Sequence, residues 1–174
     1  PAFVPSYESS EITNSAAILA AADWLISVNS TVIIGAAILA AFPKRAINLH
    51  NGPLPAYAGR HVHQWGIRNG ERSFAATIHH MDSGVDTGDI ILAEEFPITP
   101  QDTGLTLFRK SFDTGVSLMI RALDMIVAGD ELPSVEQDLI GRNFYSHKAA
   151  LDGRVDWNWT ARGIVDFVRA GDYR

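Results

Sequence analysis

The chain has no cysteine, and this absence excludes several kinds of chemistry at once. Without thiols there is no disulfide framework, no zinc site built from thiolates and no cysteine nucleophile, which suits a reducing compartment. The longest apolar run, residues 32–42, is too short to cross a bilayer. The first residues also lack the basic segment that opens a signal peptide. The sequence therefore predicts a soluble cytoplasmic protein with no membrane partner.

Basic charge is also scarce. There are 14 Lys and Arg residues against 20 Asp and Glu, which gives a net charge of −6. Binding nucleic acid through its phosphates requires a basic surface, so we expect no nucleic-acid partner. The hydrophobic content of 47% and the charged content of 20% are ordinary for a folded protein. With 174 residues, the chain is long enough for one domain with a sizeable core.

Several common catalytic motifs are missing. The sequence contains no GxSxG nucleophile, no phosphate-binding loop ending in Lys-Ser or Lys-Thr, and no GxGxxG dinucleotide motif. A histidine-rich region raises the alternative of a metal site; its members are His50, His61, His63, His79 and His80. No HExxH motif accompanies them, and residues 61 and 63 would not share a helical face. We therefore expect no bound metal.

The hydrophobic pattern predicts an α/β fold. Residues 24–28 and 45–49 are typical of buried strands, and residues 36–42 between them are typical of a helix that ends before Pro43. A strand, a helix and a strand joined by short connections predict a βαβ unit in a parallel sheet. A doubly wound sheet normally begins with a strand, whereas this chain begins in a loop-like segment. The fold is therefore small, or the opening βαβ half is missing.

Further elements follow from the same patterns. We predict helices at residues 15–22, 61–69 and 160–170 and strands at 73–79 and 89–97. A long helix opens at Asp102 and Thr103 and closes at Gly129. Its predicted core face comprises Leu107, Phe108, Phe112, Val116, Met119, Ile120, Leu123, Ile126 and Val127. The last helix should turn Ile164, Phe167 and Val168 inward.

Asn48 and His50 stand two residues apart at the end of a predicted strand. They therefore share one face of the strand, at the carboxyl end where α/β sheets bind ligands. A structural alternative is an Asn that caps a turn and a His that bonds a carbonyl group. The following sequence HNGPLP favours the functional interpretation, because a loop rich in Gly and Pro fixes the backbone beside a reactive group.

Asp86 lies between Gly84 and Gly88 in a turn-rich segment. The structural alternative is turn formation, for which Asp is well suited. In the functional interpretation, the glycines let the backbone approach a ligand while the carboxylate points inward. Asp82 and Asp89 compete for this role. A carboxylate near His50 should raise the histidine pKa and favour imidazolium.

These motifs resemble those of the formyltransferases that use 10-formyltetrahydrofolate. The resemblance is carried by INLHNGPLP at residues 47–55, by TIHHMDSGVDTGDI at 77–90, and by Tyr57, Gly59 and residues 65–67 and 70–71 between them. It extends over residues 22–173. It implies a Rossmann-like domain with a mostly parallel sheet at residues 1–150, whose opening βαβ half is missing or incomplete. Residues 151–174 would begin a linker or C-terminal extension within a larger, multidomain chain.

The resemblance also assigns site residues. The family's catalytic positions match Asn48, His50 and Asp86. One wall of its folate pocket matches Val32, Ile33 and Ile34, and the other wall matches Met81, Asp82, Ser83, Gly84 and Val85. The implied co-substrate is 10-formyltetrahydrofolate, and no metal is implied. The implied mechanism is direct transfer: Asn48 and imidazolium His50 stabilise the oxyanion, while Asp86 keeps His50 charged and relays a proton through a water.

The formyl acceptor is less constrained. The variant HNGPLP, with GRHVHQW after it and GRVDW and FVRAGDY near the end, looks most like the hydroxyornithine and peptide-synthetase branch of the family. This implies a small-molecule acceptor, an amine or N-hydroxy amine of amino-acid type, in siderophore or natural-product biosynthesis. The alternatives are a sugar-amine or methionyl-tRNA formyltransferase, a formyltetrahydrofolate hydrolase, a non-catalytic folate-binding domain and, last, a metal-dependent hydrolase.

Overall fold

The computed structural model describes residues 21–30, 32–146 and 153–173. Most of the helix predicted at residues 15–22 lies outside these ranges, as does the predicted domain boundary at residue 150. In chain order the elements are β1 (Leu25–Val28), α1 (Ala36–Leu39), β2 (Ala46–His50), β3 (Ala58–Gly59), α2 (Val62–Arg68), β4 (Ser73–His80), β5 (Ile90–Pro97), α3 (Gly104–Ala128), a 3₁₀ turn (Leu139–Gly141), β6 (Phe144–Tyr145) and α4 (Ala161–Ala170).

The main sheet has four strands in the order β1-β2-β4-β5. The predicted βαβ unit is confirmed, because β1 and β2 pair in parallel. The expectation of a mostly parallel sheet is wrong for the described strands, since β4 runs antiparallel to both β2 and β5. The short loop between β4 and β5 contains no crossover helix, and such a connection can only form an antiparallel pair. The α/β class is confirmed as a mixed sheet.

The long helix α3 packs against this sheet. Thr103 caps its first turn by accepting a hydrogen bond from the Thr106 backbone, and Gly129 ends it in the left-handed conformation, as predicted. Its core face differs from the prediction. Small residues such as Gly115 and Ala122 are buried, whereas the predicted core residues Val116, Ile120 and Val127 are exposed.

Close approach of α3 to the sheet explains this difference. A Cβ atom at Gly115 would lie only 2.5 Å from Leu49 of β2, so a larger side chain there would force the two elements apart. The remaining core contacts come mainly from Ile47, Ala76, Ile78, Ile91, Leu118 and Met119. The sheet and the helix therefore hold β2 and β4 firmly, and these are the strands that carry the candidate site.

The helix α4 docks on α2 and α3 near the chain end. Phe167 is buried as predicted, but Val168 is exposed. The next residue, Arg169, is buried; it pairs with Asp166 and donates hydrogen bonds to the main-chain oxygens of Thr99 and Asp102.

Among the described residues, no helix is long and apolar enough to cross a membrane.

Candidate active site

Two neighbouring antiparallel strands present polar side chains on one face. Asn48 and His50 lie at the end of β2, and the strand register places Asn48 opposite His79 and His50 opposite Thr77 of β4. Cross-strand partners project to the same side of a sheet. Asp86 joins them from the loop that follows β4. The three residues predicted as catalytic are thus brought together in the structure.

His50 makes one hydrogen bond and lies close to Asp86. Its Nε2 atom lies 2.6 Å from the Tyr57 carbonyl oxygen, so Nε2 carries a proton and donates it. Its Nδ1 atom lies 3.6 Å from Oδ2 of Asp86. That separation is longer than a hydrogen bond, and catalytic contacts of this kind often tighten only when substrate is bound.

The protonation state of His50 differs from the sequence-based expectation. Burial lowers the pKa of His50 and outweighs the nearby Asp86 carboxylate, which acts in the opposite direction. The sequence predicted correctly that Asp86 raises the pKa of His50. The side chain of His50 is only 7% exposed, however, and the effect of this burial on the pKa is larger than that of Asp86. His50 is therefore a neutral imidazole at pH 7, and the expected imidazolium is wrong for the protein without substrate.

Asp86 is a fixed anion. Burial raises the pKa of Asp86, but His79, His50 and the backbone N–H of Gly59 together lower it to about 2. The Gly59 N–H donates to Oδ2 of Asp86 at 2.8 Å. Asp86 itself has a φ of 56°, a left-handed conformation that is uncommon outside glycine and concentrates at functional sites.

The competing carboxylates have structural roles. Asp82 accepts hydrogen bonds from the Gly84 backbone and from the Thr87 hydroxyl, which closes the turn. Asp89 accepts from Ser134. The two carboxylates therefore shape the loop, and Asp86 is the one that lies beside the histidines.

His79 is a site residue that the sequence interpretation missed. Its Nδ1 atom donates to the His80 carbonyl oxygen at 2.7 Å, so in the neutral ring Nε2 accepts from Nδ2 of Asn48 at 3.0 Å. The same Nε2 atom lies 3.6 Å from Oδ1 of Asp86. His79 thus orients the amide of Asn48. His79 and Thr77 lie on the same face of β4. This spacing would have indicated His79 as a site residue if antiparallel pairing of β4 with β2 had been expected.

A cavity of about 720 Å³ opens in front of these side chains. All of the predicted folate-pocket residues except Ser83 line it: Val32, Ile33, Ile34, Met81, Asp82, Gly84 and Val85. Val32 and Ile33 are 43% and 73% exposed, so they offer apolar surface to a ligand rather than filling the core. The volume is typical of a small-molecule site.

The cavity is also lined by residues that the sequence interpretation did not assign. They include Arg60, His61, His63, Phe108 and Phe144. Within residues 21–30, 32–146 and 153–173, no group of three or more His, Asp or Glu side chains could hold a metal ion. Of the histidine-rich region, His50 and His79 lie at the site, His61 and His63 line the same cavity, and His80 bonds the Pro133 carbonyl oxygen.

His63 gives the fold a pH dependence that can be measured. Burial, with a smaller effect of His61, lowers the pKa of His63 to about 4. Since this is below the value of about 6.5 in the unfolded chain, its contribution to stability is complete above pH 6.5 and is lost as the pH falls toward 4. When the pH falls from 7.5 to 5, the free energy of unfolding should drop in both proteins. We expect the drop to be about 2 kcal/mol smaller in His63→Phe than in the wild type.

Urea denaturation at both pH values measures this difference. Tyr173→Phe is the matched control, because it removes the hydroxyl that bonds His63 but keeps the imidazole. Equal losses in the wild type and in His63→Phe would show that His63 does not titrate in this range.

Comparison with known proteins extends these observations. Residues 3–123 match the family model described as Formyl transferase. A methionyl-tRNA formyltransferase from Anaeromyxobacter sp. (strain K) is 35% identical over 149 residues, which are 86% of this chain and 47% of that protein. The chain therefore spans about half the length of this curated relative.

Solved structures agree in fold. An N-formyltransferase from Helicobacter canadensis, solved with folinic acid and dTDP-3-aminofucose, superposes with a TM-score of 0.76 at 25% identity, over 83% of this chain and 53% of that one. The formyltransferase PseJ from Anoxybacillus kamchatkensis gives a TM-score of 0.70 at 31% identity, over 78% and 70% of the two chains. The family model matches well over half of the chain, which confirms the resemblance seen in the sequence. This chain belongs to the formyltransferase family.

Proposed function

We propose that the protein transfers a formyl group from 10-formyltetrahydrofolate to the amine of a small metabolite in the cytoplasm. The observation that carries this proposal is the convergence of Asn48, His50 and Asp86 at the wall of one cavity. An amide donor, a neutral imidazole and a fixed carboxylate are suited to acyl transfer without a covalent enzyme intermediate. No cysteine is present to act as a nucleophile, and the amine would attack directly.

The cavity suits the formyl donor. Val32 and Ile33, and Met81 and Val85 of the loop after β4, line the same cavity, and we infer that a flat ring would lie between these two groups. When bound, the folate supplies a formyl group activated by its attachment to nitrogen. Solved relatives contain folinic acid or tetrahydrofolate, which supports this class of co-substrate.

Asn48 would stabilise the negative charge that develops on the formyl oxygen. One N–H of its amide is given to His79, which fixes the amide orientation, and the second remains for a ligand in the cavity. A preorganised donor of this kind contributes about 3 kcal/mol to the lowering of a reaction barrier.

His50 would act as a base before it acts as an acid. Its Nε2–H is committed to Tyr57, so its Nδ1 lone pair faces Asp86 and is the position that can accept a proton from the attacking amine. The nearby Asp86 carboxylate then stabilises the imidazolium. His50 subsequently returns the proton to the departing folate nitrogen. This order replaces the cationic starting state that the sequence suggested.

Two acceptor classes are proposed. The HNGPLP motif supports an amine or N-hydroxy amine of amino-acid type, as in siderophore or natural-product biosynthesis. The two solved relatives described above carry amino-sugar or formamido-sugar nucleotides, which supports a sugar amine about equally. In both classes the acceptor would enter on the side of the cavity lined by Arg60, His61 and Phe144.

The test is mass spectrometry of reactions that contain the full-length protein, 10-formyltetrahydrofolate and a panel of amines. The panel includes hydroxyornithine, amino-sugar nucleotides and methionyl-tRNA. We expect one member to be formylated, and the class of that member decides the acceptor. Formate released without any acceptor would identify a hydrolase instead. Folate binding without formyl turnover would identify a silent binding domain, and activity lost to a chelator would identify a metal enzyme.

A further inference from the structure

The segment that follows α3 lies against the loop carrying Asp86. This segment, the strap, comprises residues 133–146. It is outside residues 3–123, the part of the chain that matches the family model. The strap contacts the loop at its ends and along its middle, and it also acts through the neighbouring strand β3.

The ends of the loop are fixed first. Val135 of the strap exchanges two backbone hydrogen bonds with Ile90, at 2.8 and 3.0 Å, where the loop enters β5. Ser134 donates to Asp89 at 2.5 Å. On the other side, the Pro133 carbonyl oxygen lies 3.2 Å from Nε2 of His80, where β4 ends. The strap thus holds both ends of the loop.

Two buried or partly buried side chains then reach the middle of the loop. Gln137, only 6% exposed, donates through Nε2 to the main-chain oxygens of Gly88 at 2.5 Å and of Asp86 at 3.3 Å. Arg142 donates through Nη2 to the Val85 oxygen at 2.8 Å. Loop carbonyls that would otherwise lack a partner are satisfied by the strap, which resists displacement of the loop.

The end of the strap also reaches the Asp86 carboxylate indirectly. Strand β6 of the strap pairs in parallel with β3, and the Gly59 N–H of β3 donates to Oδ2 of Asp86. The fit is close, because a Cβ atom at Gly59 would lie 2.2 Å from the Tyr145 oxygen. The main chain and the carboxylate of Asp86 are therefore both set by the strap.

We propose that the strap positions Asp86 for formyl transfer, with Gln137 and Arg142 as positioning residues. This inference rests on the proposed function of the site. Gln137 holds the carbonyl of Asp86 itself, so its loss should lower kcat. Arg142 holds Val85, a residue of the folate wall, so its loss should raise the KM for the folate. The two side chains of one segment are thus expected to affect different kinetic constants.

The experiment compares Gln137→Met and Arg142→Met with wild-type full-length protein. Methionine keeps much of the volume but donates no hydrogen bond. We expect kcat to fall about tenfold in Gln137→Met, and the KM for 10-formyltetrahydrofolate to rise about tenfold in Arg142→Met, which corresponds to the loss of one or two buried hydrogen bonds. Arg142→Lys, which retains a donor, should recover part of the loss. Glu136→Gln, at an exposed position of the strap, is the matched control.

Amide hydrogen exchange provides a readout that does not require activity. The Gly59 amide is protected by its bond to Asp86, so it should exchange faster in Gln137→Met, while the amides of β2 and the melting temperature stay close to wild type. Unchanged exchange at Gly59 with unchanged kcat would overturn the proposal. If the wild type transferred no formyl group, the proposed function would fail and the exchange data alone would decide the role of the strap. If Gln137→Met does not fold, the Arg142 variants test the proposal. A raised KM for 10-formyltetrahydrofolate in Arg142→Met that Arg142→Lys partly restores would support it, and an unchanged KM in both would overturn it.

Discussion

Asp86→Asn is expected to lower kcat/KM for formyl transfer by about 10²–10⁴-fold, the usual contribution of a general acid–base group. Asparagine retains an oxygen that can accept the Gly59 N–H but lacks the charge that stabilises protonated His50. The loop geometry should therefore survive while the proton transfer fails. Steady-state kinetics, with circular dichroism to confirm folding, measures this effect.

Asp89→Asn is the matched control for that variant. It removes a carboxylate charge from the same loop, but Asp89 accepts from Ser134, which an asparagine oxygen can also do, whereas the carboxylate beside His50 and His79 is that of Asp86. It should keep kcat/KM within a few-fold of wild type. Similar activities for Asp86→Asn and Asp89→Asn would mean that Asp86 has no part in proton transfer.

Asp86→Asn should also shift the titration of His50 to lower pH. Because the pKa of His50 is lowered below 6.5, wild-type kcat/KM should hold until the pH falls below that value and then decline as the base is protonated. Asp86, together with the hydrogen bond to Tyr57, raises this pKa against burial, so Asp86→Asn should move the titration to still lower pH. NMR of the His50 imidazole gives the midpoint even in an inactive variant. A midpoint that moved upward would contradict the assigned interaction.

Asn48→Ala is the second large effect expected. It removes a hydrogen-bond donor that lines the cavity, and loss of such a donor lowers kcat by about 10²–10³-fold with little change in KM. Single-turnover kinetics at saturating 10-formyltetrahydrofolate separates the chemical step from binding. A rise in KM at constant kcat would show that Asn48 binds substrate without favouring the transition state.

The role of His79 can be separated from that of Asn48 with a double-mutant cycle. His79→Met removes the acceptor that fixes the Asn48 amide. If His79 acts through Asn48, its replacement should cost much less in the Asn48→Ala background than in the wild type. Fully additive losses would assign His79 to its other neighbour, Asp86.

The elements that bear the site were predictable because their signals are local. The apolar run around Leu25, the i, i+2 spacing of Asn48 and His50, and the Thr103 cap each depend on a few neighbouring residues. Asp86 was selected by its setting in a Gly-rich turn. The resemblance to a known family then assigned residues that are distant in sequence to one place, and the structure brings His50 within 3.6 Å of Asp86.

The features that escaped prediction depend on tertiary contacts. His79 reaches Asn48 only because β4 runs antiparallel to β2, which no local pattern reports. The buried face of α3 follows from the close approach of Gly115 to Leu49, and this distance is set by the whole sheet. The neutral state of His50 follows from burial, whereas the sequence shows only the neighbouring charge. The partner of His79, the distance between α3 and the sheet, and the desolvation of His50 are all properties of the folded chain.

A crystal structure of the full-length protein with 5-formyltetrahydrofolate tests the central claim most directly. We predict the ring between Val32–Ile34 and Met81–Val85, with the reacting end of the folate beside Asn48, His50 and Asp86. A folate bound elsewhere on the protein, or an imidazole of His50 turned away from both the ligand and Asp86, would contradict this assignment.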